Sequence, residues 1–259
     1  RVLSFVLAIV VAGLTTVAHA QPSEGGRPEP EGWRYSLGIG GMLRPTYEGS
    51  GEYDVWPIPY FDVQYDDWFY ANPWNGLGVK GGDDGGFEYE LGLGFDFGRE
   101  EDDGPLLEGM GEIDFGLLGR LGLTYDFGLF NVGLRYAHEF TDVHGGYELQ
   151  GSIGTRFFLR ESRSLINLSL FTVYSSEDYL NTYFGVTPAQ SANTGYAPYG
   201  IDAQLKEVGV SLNWIRPLNR EWLIVAILNY SRFMDDIEES PVVDASDQIF
   251  AGLWWVRQF

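Results

Sequence analysis

The sequence contains no cysteine. Disulfides therefore contribute nothing to its stability, and thiol chemistry is excluded. Basic residues are scarce, with 16 Lys and Arg against 37 Asp and Glu, for a formal net charge of −21. A nucleic-acid partner is excluded on that balance, because phosphates are met by Lys and Arg. The acidity names no partner of its own and favours solubility. Histidine is thin, at three residues. Long apolar runs are also missing. The longest, VLSFVLAIVV at 2–11, falls well short of the roughly 20 residues of a spanning helix. Mean hydropathy is −0.13.

What is abundant is glycine, 35 residues, and aromatic side chains, 16%. The apolar run at 2–11 follows Arg1 and precedes Ala18-His19-Ala20, the layout of a cleavable secretion signal over 1–20. With no cysteine at that cleavage site, no lipoprotein anchor is expected there. Positions 21–32, QPSEGGRPEPEG, read as a flexible leader. A single β-barrel is expected over 33–259.

From Trp33 onward the dominant pattern has period two. In 87–97, Phe87, Tyr89, Leu91, Leu93, Phe95 and Phe97 share one face, while Glu88, Glu90 and Asp96 share the other with two glycines. A helix would scatter those acids around its circumference; a strand makes one oily and one polar face. Similar alternation runs through 113–125, 131–140, 147–159 and 207–214, with further strands expected at 33–44, 55–65, 68–80, 164–175, 178–186, 220–233 and 248–259. The expected fold is all-β, an antiparallel transmembrane barrel of about 12 strands (10–14 possible), an even count being usual for bacterial barrels. A soluble sandwich also alternates, but its strands run to about five or six residues, shorter than many of these. Trp33, Tyr35, Tyr125, Tyr136, Trp214, Trp222 and Tyr230 lie near strand ends, where girdles meet the membrane interface. The last strand carries Leu253 and Trp255 on one face and ends in Phe259, an outer-membrane assembly signal. Arg257 interrupts that face and is expected to snorkel. These features imply the outer membrane of a Gram-negative cell and contact with its lipid and lipopolysaccharide.

With both termini in the periplasm, odd-numbered connections face outward. Segments 45–54, 187–200 and 234–247 then become external loops and 216–221 a periplasmic turn. The acidic stretch 98–112 falls on the periplasmic side by this count, and the YDFG turn at 125–128 outside. Glu100, Glu101, Asp102 and Asp103 with Leu106 and Leu107 thus form a candidate periplasmic partner contact. The expected lumen carries Arg34, Arg120, Arg135 and Arg156 against Glu88, Glu90, Asp96, Asp114, Glu139, Glu148 and Glu207. Such charges either line a selective pore or pair into a network filling a narrow barrel; opposite signs on neighbouring strands favour the network. His138 suits a girdle position and His144 a turn at 143–146. Neither accompanies a nucleophile motif, so no catalytic site is expected, whether lipid A hydrolase or omptin-like protease. The acidic runs lack EF-hand spacing, so no metal or cofactor site is expected.

The segment PTYEGS (Pro45, Tyr47, Gly49, Ser50), the block YFGVTPAQSANTGYAPYG (Tyr183, Phe184, Gly185, Val186), ESPVV (Ser240, Pro241) and the terminal Phe259 resemble the MipA/OmpV family over nearly the whole mature chain. The resemblance implies an outer-membrane scaffold that brings a lytic transglycosylase together with a peptidoglycan synthase. Its alternatives are a small solute channel or a surface adhesin.

Overall fold

The structure, a computed structural model, describes residues 32–259; the expected signal at 1–20 and nearly all of the leader lie outside them. Thirteen strands are described: β1 (Trp33–Pro45), β2 (Tyr53–Pro57), β3 (Tyr60–Tyr65), β4 (Phe69–Asn72), β5 (Gly76–Gly82), β6 (Phe87–Asp96), β7 (Gly116–Asp126), β8 (Phe130–Glu139), β9 (Tyr147–Leu159), β10 (Ser164–Ser175), β11 (Gln204–Pro217), β12 (Trp222–Phe233) and β13 (Asp247–Gln258). Every pairing is antiparallel, and β13 pairs back onto β1, closing the sheet. β2 and β3 both run along β1, interrupted at 58–59, and form one wall strand. The barrel therefore has twelve wall strands among the described residues.

Two expected strands take another form, and their effects cancel in the count. The stretch 68–80 is the hairpin β4–β5. Asn72 Oδ1 accepts from the backbone N–H of Trp74 at 3.1 Å and of Asn75 at 2.8 Å, and Gly76 follows at φ +74°. This side-chain-made turn reverses the chain where alternation alone would run on. The stretch 178–186 is instead helix α1 (Glu177–Phe184). Ser176 caps it by accepting from Tyr179 N–H, Glu177 and Asp178 favour its first turn, and Tyr179, Leu180, Tyr183 and Phe184 form one buried helical face. Helix α2 (Pro188–Thr194) follows, with a Thr187–Gln190 capping box.

The extra hairpin shifts strand parity from residue 73 to the start of α1. Connections 46–52, 73–75, 97–115, 140–146, 176–203 and 234–246 consequently share one end. Turns 66–68, 83–86, 127–129, 160–163 and 218–221 share the other with the termini. The stretch 98–112 thus lies with the long loops, and the YDFG turn with the short ones, the reverse of the expected placement. In outer-membrane barrels the long loops face outward and the short turns the periplasm.

The outer face is apolar: Ile39, Val55, Leu91, Leu170, Leu253 and Trp255 are all exposed. Aromatic clusters ring the turn end, with Trp33 against Tyr65 at 4.9 Å and Trp222 against Trp255 at 5.8 Å. Arg257 sits in this ring, 4.8 Å over Phe259 and 3.1 Å from Glu221, which explains its interruption of the apolar face. Tyr136 stacks on His138 at 6.2 Å near the other end, as a girdle residue would.

Inside, the lumen is divided. On the side of β11, β12, β13 and β1 the buried residues are mixed: Arg44, Ser211, Asn213, Asn229, Ser231 and Gln248 are polar, while Met42, Ile58, Tyr60, Trp74, Leu165, Ile215, Leu223, Val225, Ile227, Phe250, Trp254 and Val256 form one buried apolar core. Trp254 is completely buried, donates from Nε1 to the Ile58 carbonyl at 2.9 Å and meets Trp74 edge-on at 5.0 Å. Its indole lies where a Cβ on Gly40 or Gly252 would stand, so both glycines make its space. β2 pairs only with β1, and the short β4–β5 hairpin leaves the wall beside it low. Trp56 and Phe97 pack onto the core with Ile58 and Trp74, so side chains fill the barrel there.

Candidate functional site

The loop end is closed by a cap into which the recognisable sequence motifs converge. Tyr47 packs with Leu107, Met110, Val186 and Val242. α1 packs beside them through Tyr179, Leu180, Tyr183 and Phe184 against Ile201, Phe233 and Ile237. Backbone bonds lock the pieces together. The Asp244 N–H donates to Gly49 O at 2.8 Å, and Ser240 Oγ donates to Phe184 O at 2.6 Å. Gly49 adopts φ +102° against Val243, a conformation and an approach that suit glycine. Ser50 is buried, and its carbonyl accepts from Gln248 Nε2 at 3.4 Å. The segment 97–115 belongs to the same cap: Arg99 Nη1 donates to Tyr183 O at 2.6 Å, and Gln190 Nε2 to Met110 O at 2.6 Å. Burial lowers the Arg99 pKa, and burial followed by the Asp244 charge raises Tyr47 to about 12.

Beneath the cap lies a cavity of about 110 Å³ lined by residues of β6 to β11, Glu48 and α1. Its ionic centre is Lys206, whose Nζ lies 2.7 Å from Glu48 and 2.6 Å from Glu148, and 4.9 Å from the ring centroid of Tyr179. Tyr179 OH in turn donates to Glu48 at 2.9 Å. A second anchor is Asp96, which accepts from Tyr183 OH at 2.6 Å and Gly98 N–H at 3.0 Å and lies 3.0 Å from His144 Nε2. Gly146 N–H donates to His144 Nδ1 at 2.9 Å, so the His144 proton sits on Nε2 and points at Asp96. Burial comes first, then the neighbouring carboxylates, in holding Tyr179 and Tyr183 well above the usual phenol range; both stay protonated donors. α1 is thus fastened to the barrel wall by two tyrosines and two carboxylate clusters.

Of the expected lumen charges, Glu90, Asp96, Arg120, Arg135, Glu148 and Glu207 line this cavity. The other five do not. Glu88, Asp114 and Arg156 are exposed, Arg156 bonding Asn167 Oδ1 at 3.2 Å near the turns. The strand expected from 113 begins only at Gly116, which leaves Asp114 outside the wall. Arg34 bonds Gln64, the Asp66 carbonyl and Asp67 at the turn end. Glu139 is fully buried, but its carboxylate accepts the backbone N–H groups of Thr141, Val143, His144 and Gly145, shaping loop 140–146 and pairing with no cation there. Of the expected periplasmic contact, Leu107 is fully buried inside the cap and offers no free surface. Asp103 accepts from Glu100 N–H at 2.9 Å, and burial raises its pKa. Glu101 binds Gly111 N–H at 2.6 Å, Leu106 is half-buried, and Asp102 is exposed.

Lys206 escaped the alternation because the β10–β11 register slips between Val173 and Tyr174. Glu207 pairs with Val173 and Leu205 with Tyr174, leaving Lys206 as a bulge residue that turns inward beside Glu207. The helical spacing of 179, 180, 183 and 184 after Ser176 was the available signal for α1. Glu48 and Arg99 carry no such local mark; they enter the site only because loops far apart in sequence meet over the lumen.

Comparison with known proteins bears on the same features. The family model described as MltA-interacting protein MipA matches residues 37–259. The outer membrane protein OmpV of Vibrio cholerae serotype O1 is 29% identical over 136 residues, 51% of each chain. Omp26La, an outer membrane protein of Vibrio anguillarum, is 27% identical over the same share. The matched region thus spans about half the length of these curated relatives. A solved structure described as a bacterial polysaccharide outer membrane secretin is similar with TM-score 0.46 and 11% identity, covering 87% of this chain and 97% of that one.

Proposed function

This outer-membrane β-barrel belongs to the MltA-interacting protein MipA family, and from that membership we propose that it serves as a non-enzymatic, non-conducting scaffold for peptidoglycan synthesis and hydrolysis. The observation that carries the reading is the blocked lumen. The Trp254 core fills one side of the barrel, and α1 with the interlocked loops covers its outer end. A channel would require both obstructions to move; a scaffold requires neither to. Its lipid-facing belt sits in the outer membrane, with lipopolysaccharide around the loop end.

With 97–115 in the cap, the surface left for a periplasmic enzyme is the set of short turns. These offer Asp66 and Asp67, Asp83 and Asp84, Arg160 to Arg163, and Arg220 with Glu221. A charged rim suits a weak, salt-sensitive contact. Affinity purification from outer membranes followed by mass spectrometry tests the reading. A lytic transglycosylase or peptidoglycan synthase is expected, and recovery should fall when Arg160, Arg163 and Arg220 are changed to Glu. Stepped conductance in planar bilayers without any murein enzyme in the eluate would replace the scaffold with a channel. Loss of cell attachment on exchanging 187–200 and 234–247 would point to an adhesin.

A further inference from the structure

The turn end of the barrel is divided by charge. Turns 66–68 and 83–86 carry Asp66, Asp67, Asp83 and Asp84, and Asp126 borders turn 127–129. Turns 160–163 and 218–221, with the neighbouring ends of β11 and β13, instead carry Arg160, Arg163, Arg216, Arg220 and Arg257 against Glu161 and Glu221. This excess of positive charge stands in a chain whose net charge is −21. Two of these arginines lie on the lipid-facing side. Ile215 is buried inside the barrel, and Arg216 next to it is exposed on the outer side, its Cζ 6.0 Å from the Trp214 ring. Arg257 shares the outer side of β13 with the exposed Leu253 and Trp255, 5.7 Å over the Trp222 ring. Its Nη2 meets Glu221, while its Nε is buried with no hydrogen-bond partner. Arg216 forms no ion pair among the described residues.

The strand register sets these side chains around one strip of the outer face. Arg216 pairs with Ile224, and Trp222 pairs with Arg257. By strand spacing the two arginine Cα atoms are about 12 Å apart with Trp222 between them, a span that two arginine side chains can close on one phosphate. Further along the same face Ala226 pairs with Trp214 on one side and Leu253 on the other, so a small residue leaves a furrow between two large ones. Arginine and tryptophan at a membrane interface suit a headgroup, and the furrow leads from them into the hydrocarbon belt. We propose that this face binds an anionic phospholipid of the periplasmic leaflet, its phosphodiester held by Arg216 and Arg257 over Trp222 and an acyl chain along Ile224 and Ala226. The excess of arginine favours a headgroup of net negative charge over a zwitterionic one. An acidic peptide would match the arginines and leave the furrow unused. Lipopolysaccharide, the other phosphate-bearing lipid, lies at the loop end. The site is independent of the scaffold reading, whose contact surface is the turns themselves.

Native mass spectrometry of the purified full chain in detergent micelles, titrated with phosphatidylglycerol or phosphatidylcholine of identical acyl chains, tests the proposal. The first phosphatidylglycerol should bind at least fivefold more tightly than the first phosphatidylcholine. Arg216→Gln combined with Arg257→Gln should cut that preference below twofold in protein that keeps its heat-modifiable gel migration. If the double variant does not fold, each single variant should lower the preference at least twofold. Arg232→Gln, exposed at the loop end of β12, should leave it intact. Equal binding of the two lipids, a preference that survives in the folded variants, or one lost in Arg232→Gln overturns the proposal. Unchanged lipid preference in the double variant with loss of an acidic protein from the outer-membrane eluate also overturns it, and assigns the arginines to a protein partner. Recovery of murein enzymes is a separate readout, so either reading can fail alone.

Discussion

Replacing Trp254 with alanine tests the idea that an apolar core, and no ion pair, closes this lumen. Trp254 is completely buried, contacts Trp74 and Tyr60 at ring separations of 5.0 and 6.2 Å, and spans the space left by Gly40 and Gly252. Removing a buried Trp side chain costs about 3–5 kcal/mol, through lost burial and through the cavity left behind. Part of that is the Ile58 carbonyl, which loses its donor; an unsatisfied buried acceptor costs about 1–3 kcal/mol. Trp254→Phe separates the two contributions, because it keeps most of the bulk and removes only the donor. Urea unfolding in micelles, followed by tryptophan fluorescence and gel migration, should therefore rank the wild type above Trp254→Phe and that above Trp254→Ala. A change below about 1 kcal/mol for Trp254→Ala would refute the reasoning.

Three further outcomes follow from the same structure. Leu253→Arg places a charge on the lipid-facing side of β13 and should cost up to about 4 kcal/mol if the residue lies near the bilayer midplane, read as a lower urea midpoint in vesicles. Lys206→Met strands Glu48 and Glu148 without their cation and should cost about 3–5 kcal/mol, with loop 176–203 becoming more sensitive to protease; unchanged proteolysis would remove Lys206 from the cap's support. Gly49→Val forces a branched side chain into φ +102° against Val243 and should loosen the cap, so hydrogen exchange at Asp244 and Ala245 should accelerate while β12 stays protected.

Much of the wall was legible from alternation because a strand in lipid has little choice. Its backbone must be paired in a closed sheet, and each second side chain must be apolar. That is why Phe87, Tyr89, Leu91 and Leu93 point outward as expected, and why Phe259 ends a strand that closes on β1. Period two does not report where a strand ends. The Asn72 turn, which splits 68–80, and the Ser176 cap, which makes 178–186 a helix, rest on single side chains binding backbone. The count stayed at twelve because one strand was gained and one lost, while the placement of 98–112 was reversed in between.

The candidate site divides along the same line. Glu90, Arg120, Arg135 and Glu148 were recognisable, since each follows from its strand's inward parity. Lys206 was not, since a bulge reverses parity locally, and Glu48 was not, since a loop carries it. By itself the sequence determined a closed antiparallel barrel with an apolar outer face, through the periodicity that hydrocarbon solvent imposes. Only the tertiary structure decided which inward residues become an apolar core, which an ionic cluster, and which end the acidic segment covers. Those outcomes depend on distances between strands and loops far apart in the chain, which no local pattern encodes.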